Sequence, residues 1–190
     1  MRWFSRLGFA TICLAVLGLI ISAWPVVSHS DVIPFTLEDG RSGELTLVAP
    51  EWLKVGDVAK VELHITFDQQ ANDPIRLELS SRLEIGLLEL SPKGESTVLI
   101  NPDKPLTMLW KLHPSTKQEY HGDLWLLRQT KNGDHELILA REMIFESRKI
   151  LGLDYSTFRW IGVSLLAAGG LLIAPVLGGI ITKIMVKLGN

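Results

Sequence analysis

The sequence predicts an all-β fold, an antiparallel β-sandwich flanked by an N-terminal and a C-terminal transmembrane helix. Three observations predict it: an uncharged apolar run near each end, acidic residues confined to the part between them, and a two-residue hydrophobic period through that part. The chain has 190 residues, enough for one domain and its anchors. We divide it into an N-terminal signal-anchor helix or signal peptide over 1–30, a β-sandwich over 31–154, and a C-terminal transmembrane helix with a short basic cytoplasmic tail over 155–190.

Strands are predicted where apolar and polar residues alternate. Residues 58–67 show this most clearly, because one face of the segment is apolar and the other polar. Asn132-Gly133 between two apolar runs is a strong hairpin signal, since both residues tolerate positive φ. The other predicted strands cover 33–37, 44–48, 75–79, 83–87, 97–100, 106–112, 122–128 and 136–145. About nine short strands separated by turns are typical of a sandwich or a barrel.

The first apolar run, residues 7–27, supports two interpretations. A cleaved signal peptide fits the basic start and the small residues Ser28 and Ser30. An uncleaved anchor fits the length of the run, which can span a hydrocarbon core of about 30 Å, and the placement of Trp24 at its end. Both interpretations export the segment that follows.

The second run, residues 160–182, has no charged residue and predicts a transmembrane helix. Basic residues accumulate on the cytoplasmic side of membrane proteins, which places Arg2 and Arg6 there, together with Lys183 and Lys187. The predicted location is therefore the cytoplasmic (plasma) membrane, with the main domain on the extracytoplasmic side.

Small residues recur on one face of each apolar run. We expect them either to pack the two helices together or to contact another membrane protein. The alternative is the ordinary glycine and alanine content of membrane helices. The residues are Gly170, Ala174 and Gly178 in the second run, and Thr11, Ala15, Gly18 and Ser22 in the first.

Segments of the middle part resemble bacterial immunoglobulin-like domains. Residues 47–64 resemble an edge strand, a Val-Gly-Asp turn and the second strand, and residues 110–125 resemble the strand pair at the sandwich corner. The resemblance covers residues 43–148 and implies a fold, not a function. It implies that Tyr120 forms a tyrosine corner, with its hydroxyl bonded to upstream backbone, and that Trp110 or Trp125 fills the core. The chain departs from antibody-type domains because its one cysteine, Cys13, lies in the first apolar run.

Composition narrows the possible functions. Residues 31–154 contain all 21 acidic and 14 of the 19 basic residues, a formal charge of 14 − 21 = −7. A domain with this charge has no general attraction for nucleic acid. No phosphate loop, dinucleotide fingerprint or nucleophile elbow is present, and the sequence predicts no catalytic set and no cofactor.

The predicted function is a non-catalytic, membrane-anchored interaction or accessory subunit. Its expected partners are the lipid bilayer and another membrane or extracytoplasmic protein. Trp52, in a predicted loop, is either a partner contact or a plug for the end of the sandwich. The alternative function is a metal-binding sensor or a membrane-tethered enzyme that uses His113, Glu119 and His121.

Overall fold

The computed structural model describes residues 2–68, 77–100, 105–130 and 134–188. Side chains are described in these ranges except at Arg2, Phe4, Ser5, Leu77, Ile100 and 176–188. The predicted Asn132-Gly133 turn lies outside the described residues. The chain forms two compact units. Val26–Lys149 is the sandwich unit, and Met1–Pro25 with Ile150–Asn190 is the helical unit.

The sandwich unit consists of two five-stranded sheets in the part of the chain that the structure describes. The strands are β1 (Ser28–Thr36), β2 (Ser42–Pro50), β3 (Trp52–Lys54), β4 (Ala59–Phe67), β5 (Leu77–Ile85), β6 (Glu89–Ser91), β7 (Glu95–Ile100), β8 (Leu106–His113), β9 (Glu119–Gln129) and β10 (His135–Arg148). The first sheet has the order β1-β2-β4-β8-β6 and the second β3-β10-β9-β5-β7. Neighbouring strands pair antiparallel except β3 and β10, which run parallel.

Alternation in the sequence corresponds to burial in the structure. In β4 the odd-numbered Val61, Leu63 and Ile65 are buried, whereas Lys60 and Thr66 are exposed. The buried faces of both sheets form one core cluster, and Trp110 is its largest fully buried side chain. The predicted two-sheet β architecture is therefore confirmed, and Trp110 takes the core position in preference to the half-buried Trp125.

Three strand predictions were wrong. Segments 75–79 and 83–87 were predicted as two strands, but Leu77–Ile85 forms one strand, in which Leu79, Ser81, Leu83 and Ile85 all point into the core. Gly86 and Leu87 lie in the turn that follows. The short strand β6 was missed. Trp52, predicted in a loop, lies in β3, where it pairs with Glu146 of β10. Three residues are too few to show a period, so neither β3 nor β6 has a sequence signature.

The predicted tyrosine corner is present. The buried Tyr120 hydroxyl donates to the carbonyl oxygen of Thr116 at 3.1 Å and accepts from the Thr116 N–H at 3.4 Å. The fully buried Ser147 hydroxyl also donates to Thr116 O, at 2.6 Å, and accepts from Gln118 N–H at 2.8 Å. These bonds fix the connection from β8 to β9 against β10.

The helical unit contains α1 (Arg2–Ala23) and α2 (Tyr155–Leu188). Among the described residues these are the two helices whose length and composition suffice to cross a membrane. The first helix begins at Arg2, before the predicted run 7–27, and ends at Ala23, because Pro25 disfavours helical backbone in the residue before it. The second continues through Pro175.

Candidate functional site

The two helices pack antiparallel through glycine. A Cβ atom on Gly169 would lie 2.7 Å from Ile12 Cγ1 and 3.1 Å from the Gly8 carbonyl oxygen. Nearer the other end of α1, a Cβ on Gly162 would lie 3.1 Å from Leu19 Cδ2. Residues without a Cβ allow such close backbone approach, which holds helices together in lipid.

Of the two small-residue faces predicted from the sequence, the one on α1 lies in the helix contact and the one on α2 does not. In α1, Ala15 and Ser22 are buried, and Gly18 faces the ring of Phe158. In α2, Gly170 has open space around it and Ala174 is exposed, so this face does not contact α1. The environment of Gly178 lies outside the described side chains. Gly162 and Gly169, which make the contact, were missed, although their seven-residue spacing repeats that of Gly8, Ala15 and Ser22.

Aromatic residues mark the ends of the helical unit. Trp3 at the start of α1 and Trp24 just after its end are both exposed, as is Trp160 near the start of α2. The 22 residues of α1 extend about 33 Å at 1.5 Å per residue, which matches a hydrocarbon core of about 30 Å. Tryptophan prefers the two interfaces of a bilayer, so this spacing suits a membrane span.

The three residues of the alternative metal site are not brought together. His113 ends β8 in the first sheet and pairs with Glu89, whereas Glu119 and His121 lie on β9 in the second sheet. His121 Nε2 is 2.9 Å from Glu119 Oε1. No group of three or more His, Cys, Asp or Glu residues in the described ranges is arranged to hold a metal ion.

Trp52 contacts a charged neighbour. The guanidinium of Arg148 lies 5.8 Å from the centre of the Trp52 ring, a distance suited to a cation–π interaction. The indole is half-buried, and Leu53 beside it is fully buried in the core. Trp52 therefore covers the edge of the second sheet where β3 joins β10.

A groove lies between β1 and β10. β10 pairs with β9 over most of its length and with β3 at Glu146–Arg148. Between residues 135 and 145, no described strand pairs with its other edge, and among the described strands β1 pairs with β2 alone. A cavity of about 210 Å³ opens here, lined by His29 and Asp31 of β1, Leu47, Ala49 and Pro50 of β2, Glu51, and residues 141–145 of β10.

One ion pair crosses this groove, and a histidine of β1 supports it. The guanidinium of Arg141 binds the carboxylate of Asp31, and His29 Nε2 lies 2.6 Å from the other oxygen of that carboxylate. Partial desolvation raises the pKa of Asp31, but the nearby Arg141 and the hydrogen bond from His29 outweigh it and hold the pKa below its ordinary value. The Asp31 carboxylate therefore stays ionised at neutral pH.

The outer face of the second sheet is acidic. Glu84, Asp123 and Glu142 stand directly opposite one another on β5, β9 and β10. Arg82 on the same face binds Glu84. Like charges in cross-strand positions repel, so the remaining excess of negative charge favours a partner of opposite charge. The exposed Ile144 lies two residues further along β10 from Glu142.

A second cavity, of about 480 Å³, lies at the turn after β5. Leu87 in this turn has φ of 62° and an exposed fraction of 90%. A residue other than glycine at positive φ costs about 1–3 kcal/mol, and such residues cluster in constrained turns and functional loops. The cavity lining combines apolar and polar side chains, including Leu83, Ile85, Leu88, Leu90, His121 and Asp123.

No protein-family model matches the sequence, and no curated protein matches it. Three solved structures illustrate the similarities found. A chain from the complex of human zinc 2-glycoprotein and prolactin inducible protein is 10% identical over 66% of this chain and 98% of its own, with a TM-score of 0.39. Escherichia coli alpha-2-macroglobulin is 14% identical over 69% of this chain and 11% of its own, with a TM-score of 0.42.

The third is a cohesin module of a Clostridium perfringens glycoside hydrolase. It is 12% identical over 66% of this chain and 100% of its own, with a TM-score of 0.34. Since all three TM-scores are below 0.5, the fold assignment depends on the strand order and pairing of this chain.

Proposed function

We propose that this chain is a non-catalytic, membrane-anchored interaction or accessory subunit that presents an immunoglobulin-like domain on the extracytoplasmic side of the plasma membrane. The observation that carries the proposal is the combination of a β-sandwich with two terminal apolar helices packed together through Gly8 and Gly169. Such an architecture anchors a folded domain in a membrane and leaves its strand edges available for contacts.

The immunoglobulin-like assignment has three supports. They are the hydrogen bonds of Tyr120, the core position of Trp110, and the parallel pairing of the short β3 with β10 beside an otherwise antiparallel sheet. A tyrosine corner and a core tryptophan are hallmarks of such sandwiches.

An uncleaved N-terminal anchor agrees with the pairing of β1. Ser28, His29 and Ser30 pair with Pro50, Ala49 and Val48 of β2. Cleavage after Ser30 would remove these three residues from the sheet, and His29 from the groove. We therefore favour a signal anchor over a signal peptide.

The partner class follows from charge and exposed surface. The acidic face of the second sheet disfavours nucleic acid. The exposed Ile144 and Leu87 add apolar surface of the kind that protein partners cover. A protein partner in the membrane or outside the cytoplasm satisfies both features.

Sidedness is testable with single cysteines in a Cys13→Ala background. We expect a membrane-impermeant maleimide to label the Ser115→Cys variant in intact cells, because Ser115 is exposed in the sandwich unit. The matched Lys187→Cys variant should react only after permeabilisation. The opposite labelling pattern would reverse the proposed topology.

The subunit role is testable by isolating the full-length protein from its native membranes in a mild detergent. We expect a stoichiometric protein partner on size exclusion and in mass spectrometry. A strictly monomeric chain, with and without prior chemical crosslinking in the membrane, would contradict the role.

A further inference from the structure

We infer that the groove between β1 and β10 binds an extended segment of the partner protein, which adds as a strand to the free edge of β10 at residues 142–145. This inference rests on the proposed function and names where its partner binds. It follows from the pairing pattern of β10, the shape of the groove and the charges at its rim.

The main chain of β10 offers the binding groups. β3 occupies this edge at residues 146–148, and the free row of N–H and C=O groups begins directly beside it. An unpaired edge in line with an existing short strand is a template for another strand, as in peptide recognition by strand addition.

Two features protect the edge of β10 against strand pairing but leave residues 142–145 accessible. A register shift between Leu137 and Leu139 disrupts regular pairing at the start of β10. Arg141 directs a charge toward Asp31 of β1, and inward-pointing charges protect edge strands against pairing. Neither feature extends to residues 142–145, where Ile144 has an exposed fraction of 55%.

The groove can also take side chains of the incoming segment. Its cavity of about 210 Å³ has an apolar floor of Leu47, Ala49, Met143 and Phe145. Successive side chains of a strand point to opposite faces, so one aliphatic side chain of the segment can enter while its neighbours stay at the rim.

The charge at the rim of the groove determines which side chains of the bound segment suit the positions beside the aliphatic one. The rim carries the carboxylates of Asp31, Glu51 and Glu142, whereas Arg141 is bound to Asp31. An excess of negative charge around an apolar floor is complementary to an extended segment that places lysine or arginine beside an aliphatic residue.

The test uses a defined probe, the blocked pentapeptide acetyl-Lys-Val-Leu-Val-Lys-amide, and the ¹⁵N-labelled full-length protein in detergent micelles. We expect saturable amide shifts at residues 142–145 and slower hydrogen exchange there. The control peptide carries N-methyl groups at its three central residues, which removes main-chain donors but keeps the side chains. It should bind at least about tenfold more weakly, because strand addition uses main-chain hydrogen bonds.

Matched variants locate the site. Ile144→Lys puts a charge on the free edge and should weaken peptide binding at least about fivefold. Leu99→Lys changes an equally exposed aliphatic residue on β7, at the opposite edge of the same sheet, and should have no effect. Thermal unfolding of both variants checks that the fold is kept.

Three results would overturn the inference: no shifts at residues 142–145 at millimolar peptide, equal binding of the N-methylated peptide, or unchanged binding to Ile144→Lys. A partner that co-purifies with the wild type and stays fully bound to Ile144→Lys would overturn the inference and leave the proposed function standing. A chain without a partner that still binds the peptide at residues 142–145 would contradict the proposed function alone.

Discussion

The guanidinium of Arg141 in β10 binds the carboxylate of Asp31 in β1, so one ion pair joins the two sheets at the free edge of the sandwich. A second, between Arg128 of β9 and Asp39, joins the second sheet to the turn after β1. Arg128 also lies 3.2 Å from Glu136, and its exposed fraction is 9%. Because these ion pairs need ionised carboxylates, they make the stability of the sandwich depend on pH.

We expect acid to destabilise the sandwich through Asp39. Desolvation raises the pKa of this carboxyl, but hydrogen bonds from Arg128 and the Arg41 backbone, with the charges of both arginines, hold it below its ordinary value of 3.8. A carboxyl with a lowered folded pKa stabilises the fold above its unfolded pKa, and this stabilisation is lost as pH falls through the folded pKa. The free energy of unfolding should therefore decrease below about pH 4.

Fluorescence of the buried Trp110 during denaturant unfolding between pH 7 and pH 2.5 measures this dependence. Asp39→Asn should reduce the acid-dependent decrease, whereas Asp134→Asn, at an exposed carboxyl, should leave it unchanged. An identical pH profile for wild type and Asp39→Asn would refute the assignment.

Neighbouring glycines of α2 should respond oppositely to alanine. Gly169→Ala would place a methyl group 2.7 Å from Ile12 Cγ1 and 3.1 Å from Gly8 O, and should destabilise the helix pair by about 1–3 kcal/mol. Gly170→Ala meets nothing within 4 Å and should be neutral or slightly stabilising, since alanine favours helix. Unfolding of the full chain in mixed micelles of increasing dodecyl sulfate fraction compares the two. Equal destabilisation by both would contradict the observed contact face.

Long periodic segments were predictable because their physics is local. The alternation of apolar and polar residues in β4 follows from one buried and one solvent-exposed face. The tyrosine corner at Tyr120 likewise has a recognisable local sequence. The contact face of α2 was not predictable in this way. A helical period shows which residues share a face, but not which face contacts α1. The predicted face with Gly170 and Ala174 is the exposed face of α2.

The groove could not be predicted because it depends on tertiary structure. Asp31 and Arg141 are separated by 110 positions, and only the order of the two sheets brings their edges together. For the same reason His113, near Glu119 in sequence, belongs to a different sheet. The short spacing of His113, Glu119 and His121 along the chain therefore suggested a metal site, but the strand topology places His113 in one sheet and the other two residues in the other.

The tyrosine corner should contribute measurably to stability. Tyr120→Phe removes the hydroxyl that donates to Thr116 O and accepts from Thr116 N–H, and we expect a loss of about 1–2 kcal/mol. Thr107→Val is the control, because its hydroxyl bonds the His64 ring at an exposed position and should contribute little. Denaturant unfolding of both variants provides the comparison. A neutral Tyr120→Phe would show that Ser147, which also binds Thr116 O, fixes the corner by itself.

A glycine pair beside the Leu87 turn provides the sharpest steric test of the sandwich. Gly122 of β9 lies opposite Ile85 of β5, and a Cβ atom there would be 2.1 Å from the carbonyl oxygen of Glu84 and 2.6 Å from Ile85 Cα. Both atoms belong to the backbone of a paired strand, so the two strands would have to separate. We expect Gly122→Ala to cost about 3 kcal/mol or to prevent folding. At Gly86 the nearest atom to an added Cβ, the carbonyl oxygen of His121, is 3.8 Å away, so Gly86→Ala should be tolerated. Thermal unfolding and amide exchange of both variants decide the matter, and a stable Gly122→Ala protein would show that β5 and β9 pair less closely here than described.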